Sequence, residues 1–192
     1  MKFATTLSSN TYEVKQSKFI AFLMPYSDYS KTLEKLKVEH PKARHFVTAY
    51  RYLNEYNQIV EHSSDDGEPK GTSGKPSLMV LQGQKIINSA VIIVRYFGGT
   101  KLGTGGLVRA YSEAINLVLH DNLLQEYKKE CFETIIIEYS EIRLVDYECN
   151  LHDITILDKE FNQNVIYTLK GSEENMQMLL ASIHCTSHIP HR

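Results

Sequence analysis

The chain has 192 residues, of which 42% are hydrophobic and 23% charged, and its formal net charge at pH 7 is −2. These values are ordinary for a soluble globular protein, and the absence of a basic excess gives no overall sign of nucleic-acid binding. No apolar run is long enough to span a bilayer, and the N-terminal segment lacks the hydrophobic core of a signal peptide. Three cysteines do not suggest a disulfide framework, so we expect a cytoplasmic protein.

The two parts of the chain differ in charge. Residues 1–126 carry 15 Lys and Arg and 12 Asp and Glu, a net charge of +3, whereas residues 127–192 carry 6 and 11, a net charge of −5. The polar stretch at residues 121–129 is a plausible boundary, so we predict two domains, 1–126 and 127–192. A site for a polyanion is therefore expected in the first domain.

Hydrophobic periodicity and turn residues predict the early elements of the first domain. In chain order these are a strand at residues 19–24, a helix at 29–38, a strand at 44–53 and a strand at 58–62. His45 lies on the third of these elements. A lone histidine on a strand is more often a hydrogen-bonded core residue than a catalyst, so His45 is only an accessory candidate.

Residues 63–74 form an acidic loop in which three carboxylates fall within four residues. One interpretation is a magnesium ion held against a phosphate. A second is a solvated turn, because Asp-Asp-Gly is favourable turn chemistry, and a third is that the acids pair with Arg95 or Arg109. The candidate residues of this loop are Asp65, Asp66, Glu68, Gly71 and Thr72. Lys75 and Pro76 then predict the start of a short helix that runs to Leu81.

Residues 91–119 are the stretch around which the chain is organised. Four apolar residues at 91–94 predict a central strand buried on both faces, and apolar residues three and four apart from Leu107 predict a helix ending near His120. Between them lie five of the ten glycines, a glycine loop with Thr104 as the expected N-cap of the helix. The candidate residues of this stretch are Arg95, Tyr96, Gly98, Gly99, Lys101, Gly103, Gly105, Gly106 and Arg109.

The glycine loop has two interpretations. Unpaired amides at a helix N-terminus favour anions, and Arg95, Lys101 and Arg109 add positive charge there. Alternatively, the glycines only permit close packing, with Arg109 pairing Glu113 one turn on. The loop matches neither the dinucleotide fingerprint nor the P-loop pattern.

The same patterns predict five elements in the second domain. In chain order these are a strand at residues 131–139, a helix at 139–152, strands at 155–157 and 165–169, and a helix at 173–183. Ser140 is the expected cap of the first helix, and Gly171 or Ser172 the expected start of the second. No pattern predicts a closing strand in residues 184–192. Two Cys-x-x-His pairs offer zinc ligands only if the fold brings them together. Their members are Cys149, His152, Cys185 and His188. As Cys149 falls on an apolar face, a hydrophobic role is the alternative.

Two long motifs, SSDDGEPKGTSGKPSL at residues 63–78 and RYFGGTKLGTGGLVRAYSEA at residues 95–114, resemble the IMPACT family in its bacterial, YigZ-like branch. His45 also matches a histidine of the family. The resemblance implies an α+β protein whose first domain is like the second domain of small-subunit ribosomal protein five. It also implies a ferredoxin-like second domain, as in the last domain of elongation factor G. The eukaryotic relatives of this family act in control of translation, so the resemblance implies a link to translation.

Two functions follow from these features. The first is a non-enzymatic protein that binds RNA or a ribosomal or translation-related partner, with Tyr96 and Phe97 stacking on unpaired bases beside the cations. The alternative is an enzyme acting on a phosphorylated small molecule or nucleotide, with the glycine loop holding phosphate and Asp65 or Asp66 as base or magnesium ligand. We expect no cofactor for the first and magnesium only for the second.

Overall fold

The computed structural model describes residues 1–120, 124–183 and 187–191, and its contacts divide the chain into two compact units, Met1–Tyr127 and Lys128–Arg192. Both units combine helices with antiparallel sheets, so the chain is an α+β protein. None of the described helices combines the length and apolar character needed to cross a membrane.

Unit 1 is built on a five-stranded sheet in which every neighbouring pair is antiparallel. Its elements, in chain order, are β1 (Lys2–Ala4), β2 (Ser8–Val14), β3 (Ser17–Pro25), α1 (Tyr29–Glu39), β4 (His45–Leu53), β5 (Ile59–Ser64), α2 (Gly74–Gly83), β6 (Ser89–Tyr96), α3 (Gly103–His120) and β7 (Leu124–Glu126). The strand order in the sheet is β2-β3-β6-β4-β5, and β1 pairs separately with β7.

Strand β6 lies at the centre of this sheet and is buried on both faces, as its run of apolar residues predicts. Val91 and Ile93 pack in a core with helices α2 and α3, whereas Ile92 and Val94 pack in a second core with Leu36 of α1. Side chains alternate between the faces of a strand, so Arg95 continues the first set and Tyr96 the second. The sheet therefore separates these two candidate residues.

Unit 2 is a four-stranded antiparallel sheet packed against two helices. Its elements are β8 (Glu130–Ile137), α4 (Ile142–Leu151), β9 (Thr155–Phe161), β10 (Val165–Ser172), α5 (Glu173–Ser182) and β11 (Ser187–His191), and the strand order is β11-β8-β10-β9. Ser172 caps α5, because its hydroxyl accepts a hydrogen bond of 3.2 Å from the amide of Asn175. This confirms one of the two predicted starts of the last helix.

Several sequence-based predictions of elements were incomplete. The strands β1, β2 and β7 were missed. β1 and β7 have three residues each and pair with each other from opposite ends of unit 1, whereas β2 is a largely polar edge strand that pairs with the adjacent β3. Strand β11 was also missed, and it pairs with β8 from Ser187 to His191. Ser140 does not cap α4, because residues Tyr139–Glu141 form a 3₁₀ turn that precedes the helix. Thr104 lies inside α3, which begins at Gly103.

Candidate functional site

The glycine loop between β6 and α3 contains glycines of two kinds, and Gly98 represents the first. A Cβ atom added to Gly98 would lie 2.0 Å from the carbonyl carbon of Gln16 and 2.3 Å from the amide nitrogen of Ser17. The Gly98 amide also donates a hydrogen bond of 3.1 Å to the hydroxyl of Ser17. Gly98 is therefore required for close packing against the turn between β2 and β3.

The second kind of glycine faces open space. Gly99 and Gly103 have φ angles of +88° and +72°, and no atom lies within 4 Å of a Cβ placed on either. Among the described residues outside its own helix backbone, a Cβ on Gly105 would meet Arg109 Nη2 at 4.0 Å, whereas one on Gly106 would lie closer, 3.0 Å from Cβ of Leu102. At three of the five glycines, Gly99, Gly103 and Gly105, the space beside the backbone is thus open, which fits the approach of a ligand.

Arg95 does not offer the free positive charge that we expected of it. Its side chain is 9% exposed, and Nη1 donates to Oε1 of Glu68. The guanidinium carbon lies 5.4 Å from the ring centroid of Phe19 and 5.8 Å from that of Phe97. Nε is buried and finds no hydrogen-bond partner in the described part of the chain. Arg95 is buried because it lies on the core-facing side of β6, and the sequence pattern of the loop does not reveal this position.

Glu68 holds the acidic loop to the strand and to helix α3. Its side chain is 3% exposed, and Oε1 accepts a hydrogen bond of 2.8 Å from the hydroxyl of Tyr111 in addition to that from Arg95. Burial and the nearby carboxylate of Glu68 raise the pKa of Tyr111 well above its usual value, so the phenol remains a donor. The interpretation that the acids pair with a loop arginine is confirmed for this residue.

His45 has protein atoms at both ring nitrogens. Nδ1 lies 2.8 Å from the backbone carbonyl of Asp66, which can only accept, so Nδ1 carries a proton. Nε2 lies 4.0 Å from Oε1 of Glu68. Nδ1 is therefore bonded to the backbone of the acidic loop, and His45 helps to order that loop.

Asp65 organises the start of α2. Its Oδ1 accepts hydrogen bonds from the amides of Ser73 at 3.2 Å and Gly74 at 2.8 Å and from the Ser73 hydroxyl at 2.7 Å, while Oδ2 accepts from the Gly71 amide at 2.7 Å. Burial alone would raise the pKa of Asp65, but these hydrogen bonds prevail and hold it below its usual value.

Asp66 and Thr72 of the acidic loop are also engaged by the protein. Oδ2 of Asp66 accepts from the amide of Phe46 at 2.6 Å, and the hydroxyl of Thr72 donates to the carbonyl of Pro69 at 2.7 Å. Among the residues that the structure describes, no three His, Cys, Asp or Glu side chains are grouped so that they could hold a metal ion. The carboxylates of this loop therefore act as acceptors for protein donors.

Lys101 and Arg109 are the exposed cations of the glycine loop and α3. Nε of Arg109 donates to the carbonyl of Gly105 at 3.3 Å, and the ion pairs found among the described residues do not include the alternative pair with Glu113. Tyr96 lies on the opposite face of the sheet, where its hydroxyl is 2.8 Å from Nδ1 of His40. Its separation from the loop leaves Phe97 as the exposed aromatic residue beside the cations.

The four residues of the two Cys-x-x-His pairs do not form a site within the described part of the chain. Cys149 is 1% exposed in the core of unit 2, and burial raises the pKa of its thiol to about 11, as expected of a hydrophobic cysteine. Nε2 of His152 lies 3.2 Å from Oε2 of Glu148. Cys185 lies outside the described residues, and His188 is described only as part of β11.

Sequence reasoning missed three residues that position the site, Ser17, Phe19 and Tyr111. Ser17 and Phe19 belong to a strand far from the loop in the chain. Tyr111 falls four residues after Leu107, on the spacing that predicts the apolar face of α3, and it does pack there, since its ring meets Phe19 edge to face at 5.0 Å. A polar tip on an apolar face was the available signal, because a buried tyrosine hydroxyl usually has a partner.

These features define a class of protein: a two-unit α+β chain whose first unit carries a cationic, glycine-lined helix start braced by a buried Arg–Glu–Tyr network. The family described as the Impact N-terminal domain matches residues 15–119. The chain is 36% identical over 174 residues to an IMPACT family member of Haemophilus influenzae, covering 86% of this chain and 82% of that protein. The chain therefore belongs to the IMPACT family.

Two further comparisons agree with this assignment. Over 157 residues the chain is 32% identical to the IMPACT family member YigZ of Escherichia coli strain K12, covering 80% of this chain and 77% of that protein. A crystal structure described as a hypothetical protein matches with a TM-score of 0.62 and 28% sequence identity, covering 94% of this chain and 89% of that chain. The similarity thus extends over both units.

Proposed function

We propose that this protein is a translation-associated regulator that binds RNA phosphates at the glycine loop without catalysing a reaction. One observation carries the proposal: the buried pair with Glu68 neutralises Arg95, whereas Lys101 and Arg109 are exposed. These two cations place positive charge at the surface, near the open backbone positions of Gly99, Gly103 and Gly105. Such a surface attracts a polyanion and holds its phosphates by charge and by N–H donors.

The role in translation is supported by membership of the IMPACT family, whose eukaryotic relatives are tied to control of translation, and by the architecture of unit 2. Unit 2 has the order strand, helix, two strands, helix and strand, and its first and third strands lie at the centre of the sheet. This order supports a ferredoxin-like domain. We also propose that the first unit has the fold of the second domain of small-subunit ribosomal protein five. The proposed partner is an RNA or a translation-related protein, and the proposed location is the cytoplasm.

The enzyme alternative is not favoured by the geometry of the site. It needs Asp65 or Asp66 as a base or metal ligand, but both oxygens of Asp65 accept hydrogen bonds from protein donors at the start of α2. Nδ1 of His45 is hydrogen-bonded to the backbone carbonyl of Asp66.

The test is the salt dependence of RNA binding. We expect the affinity for a short single-stranded RNA to fall as salt rises from about 50 to 200 mM, because each neutralised phosphate releases counterions. Exchanging both Lys101 and Arg109 for alanine should reduce the affinity and lower the slope of log K against log salt by about 0.7 for each cation removed. The matched control is Lys31→Ala with Lys37→Ala, two exposed cations of α1. Binding that does not change with salt, or that the loop variant retains in full, would contradict the proposal.

A further inference from the structure

Helix α4 of unit 2 has two apolar faces. Val145 and Cys149 pack in the core of that unit. Leu144, Tyr147 and Leu151 are instead 41%, 61% and 59% exposed. At about 100° per residue, the exposed set lies on the opposite side of the helix from the buried one. That side normally carries polar residues in a surface helix, because apolar side chains left in water lose the free energy of burial.

The three exposed residues form one continuous surface, which we call the α4 strip. Residues three and four apart are neighbours on a helix, so Leu144 and Leu151 lie on either side of Tyr147, along about 10 Å of the helix. The other described helices expose large apolar residues singly. These are Val38 of α1, Met79 of α2, Val108 and Leu117 on opposite sides of α3, and Met178 of α5. Contiguous rather than scattered apolar residues are typical of an interaction surface.

The apolar surface continues at the start of α4, where it is held in place by described contacts. Tyr139 lies in the 3₁₀ turn that leads into the helix, and the centroid of its ring is 6.4 Å from that of the exposed Phe161 of β9. The hydroxyl of Tyr139 donates to the carbonyl of Asn162 at 2.7 Å. Nζ of Lys159 in β9 lies 2.7 and 2.9 Å from the two carboxylate oxygens of Asp146 in α4. A surface anchored in this way loses little conformational freedom when a partner covers it.

The net charge of unit 2 is concentrated on the segment that carries the α4 strip. Residues 138–161 contain seven Asp and Glu and two Lys and Arg, a net charge of −5. Residues 127–137 and 162–192 together contain four of each kind, a net charge of zero. The exposed charges of the acidic segment are four carboxylates and one guanidinium, those of Glu138, Asp153, Asp158, Glu160 and Arg143. Such a surface attracts cationic partners and repels anionic ones.

We propose that the α4 strip binds a basic amphipathic helix of another protein. The apolar residues of the partner, three and four apart, pack on Tyr147 and its two leucine neighbours as the ridges of one helix fit the grooves of another. Its lysines and arginines face Glu138 and Asp153, which lie before and after α4. Charge disfavours the other occupants, because a second copy of the acidic segment, an RNA and an anionic lipid surface are all repelled. This inference does not depend on RNA binding at the glycine loop.

The probe is a synthetic peptide of about 18 residues, long enough to run along α4, with leucine at every third or fourth position and lysine elsewhere. The control peptide has the same leucines, with glutamate in place of lysine. The chain has no tryptophan, so Tyr147→Trp provides a single fluorescent reporter in the α4 strip. We expect the lysine peptide to shift its emission to the blue, because the indole leaves water, and the glutamate peptide to leave it unchanged. Phe132→Trp, at an exposed position of unit 2 outside the acidic segment, should not respond to either peptide.

Affinity for the lysine peptide provides a second readout. Tyr147→Ser with Leu151→Ser should weaken binding at least about tenfold, as expected when the centre of an interface is truncated. The matched control is Val38→Ser with Met79→Ser, which replaces exposed apolar residues of two other helices and should leave binding unchanged. Both double variants change exposed side chains and should fold, and their urea midpoints check this.

The outcomes are distinct from those of the RNA experiment. Equal affinity for the two peptides, binding that Tyr147→Ser with Leu151→Ser retains, or no binding of the lysine peptide at about 1 mM overturns the proposal. It is also wrong if sedimentation shows a wild-type dimer that this double variant converts to monomer, because the occupant is then a second copy. Lys101→Ala with Arg109→Ala should bind the lysine peptide as wild type does, whatever its effect on RNA.

Discussion

Arg95 of β6 and Glu68 of the acidic loop form a buried ion pair, with side chains that are 9% and 3% exposed. The pair connects the two motifs that sequence analysis identified as separate loops. The hydroxyl of Tyr111 shares the same carboxylate oxygen and connects α3 to them. The sequence suggests that Arg95 is a free positive charge, but in the folded chain its pair with Glu68 supports the glycine loop.

We predict that Glu68→Gln is strongly destabilising. The substitution leaves the Arg95 guanidinium buried without a counter-charge, which typically costs about 3–5 kcal/mol of unfolding free energy. Urea denaturation at pH 7 measures the change. Glu39→Gln is the control, because Glu39 forms an exposed pair with Lys35 on α1 that should contribute less than about 0.5 kcal/mol. Similar losses for the two variants would contradict the assigned role of Glu68.

Tyr111→Phe should distinguish the contribution of the Tyr111 hydroxyl to stability from that of its ring. The ring remains packed against Phe19, but the hydrogen bond to a carboxylate is lost, at a cost of about 1.5–3 kcal/mol of unfolding free energy. Thermal or urea denaturation measures the change. Tyr56→Phe, at a position that is 74% exposed, should change stability by no more than about 0.5 kcal/mol. A neutral Tyr111→Phe would show that the hydrogen bond contributes nothing.

The stabilisation by Asp65 should depend on pH. Its pKa in the folded protein lies below the unfolded value of about 3.9, so its contribution is complete above that value and is lost as pH falls through the folded pKa. We expect Asp65→Asn to lose about 1–2 kcal/mol at pH 7 and the difference from wild type to shrink in strongly acidic solution. Urea denaturation over a pH series measures this difference.

Asp28→Asn is the matched control for Asp65. Asp28 also precedes a helix, α1, but its side chain makes no capping hydrogen bond. We therefore expect little loss at any pH. A constant difference between Asp65→Asn and wild type across the series would show that the ionised carboxylate is not what stabilises the start of α2.

The two kinds of glycine should respond oppositely to alanine. Gly98→Ala places a methyl group 2.0 Å from backbone atoms of Gln16, so we expect a loss of at least about 2 kcal/mol of unfolding free energy. Gly105→Ala meets only the flexible end of Arg109 and lies within α3, so stability should rise by up to about 1 kcal/mol. Chemical denaturation measures both changes.

RNA binding by the Gly105→Ala variant tests whether the open glycine positions take part in the site. The added methyl group of Gly105→Ala lies on the surface where a phosphate would approach the helix start, so RNA affinity should fall although the protein is more stable. Gly83→Ala is a useful control, since its Cβ also meets open space but on α2. If Gly105→Ala binds RNA as well as wild type does, the amides of the loop are not part of the site.

Much of the fold follows from local pattern. The doubly buried strand β6 and the amphipathic α3 were predicted because a run of apolar residues and a three-to-four spacing each describe burial directly. The edge strand β2 was not predicted, since its largely polar sequence has no apolar run, although it pairs with the adjacent strand β3. The motifs also located the two loops and the family correctly.

By itself, the sequence determined that the chain belongs to the IMPACT family, that it is α+β, and that glycines precede a helix beside three cations. Only the tertiary structure decided which of those cations is available. Arg95 lies on the inner face of β6, where Glu68 from a loop 27 residues earlier neutralises it, whereas Lys101 and Arg109 remain in solvent. The reason is that strand pairing and helix packing set the exposure of a charge, and both depend on contacts between segments far apart in the chain.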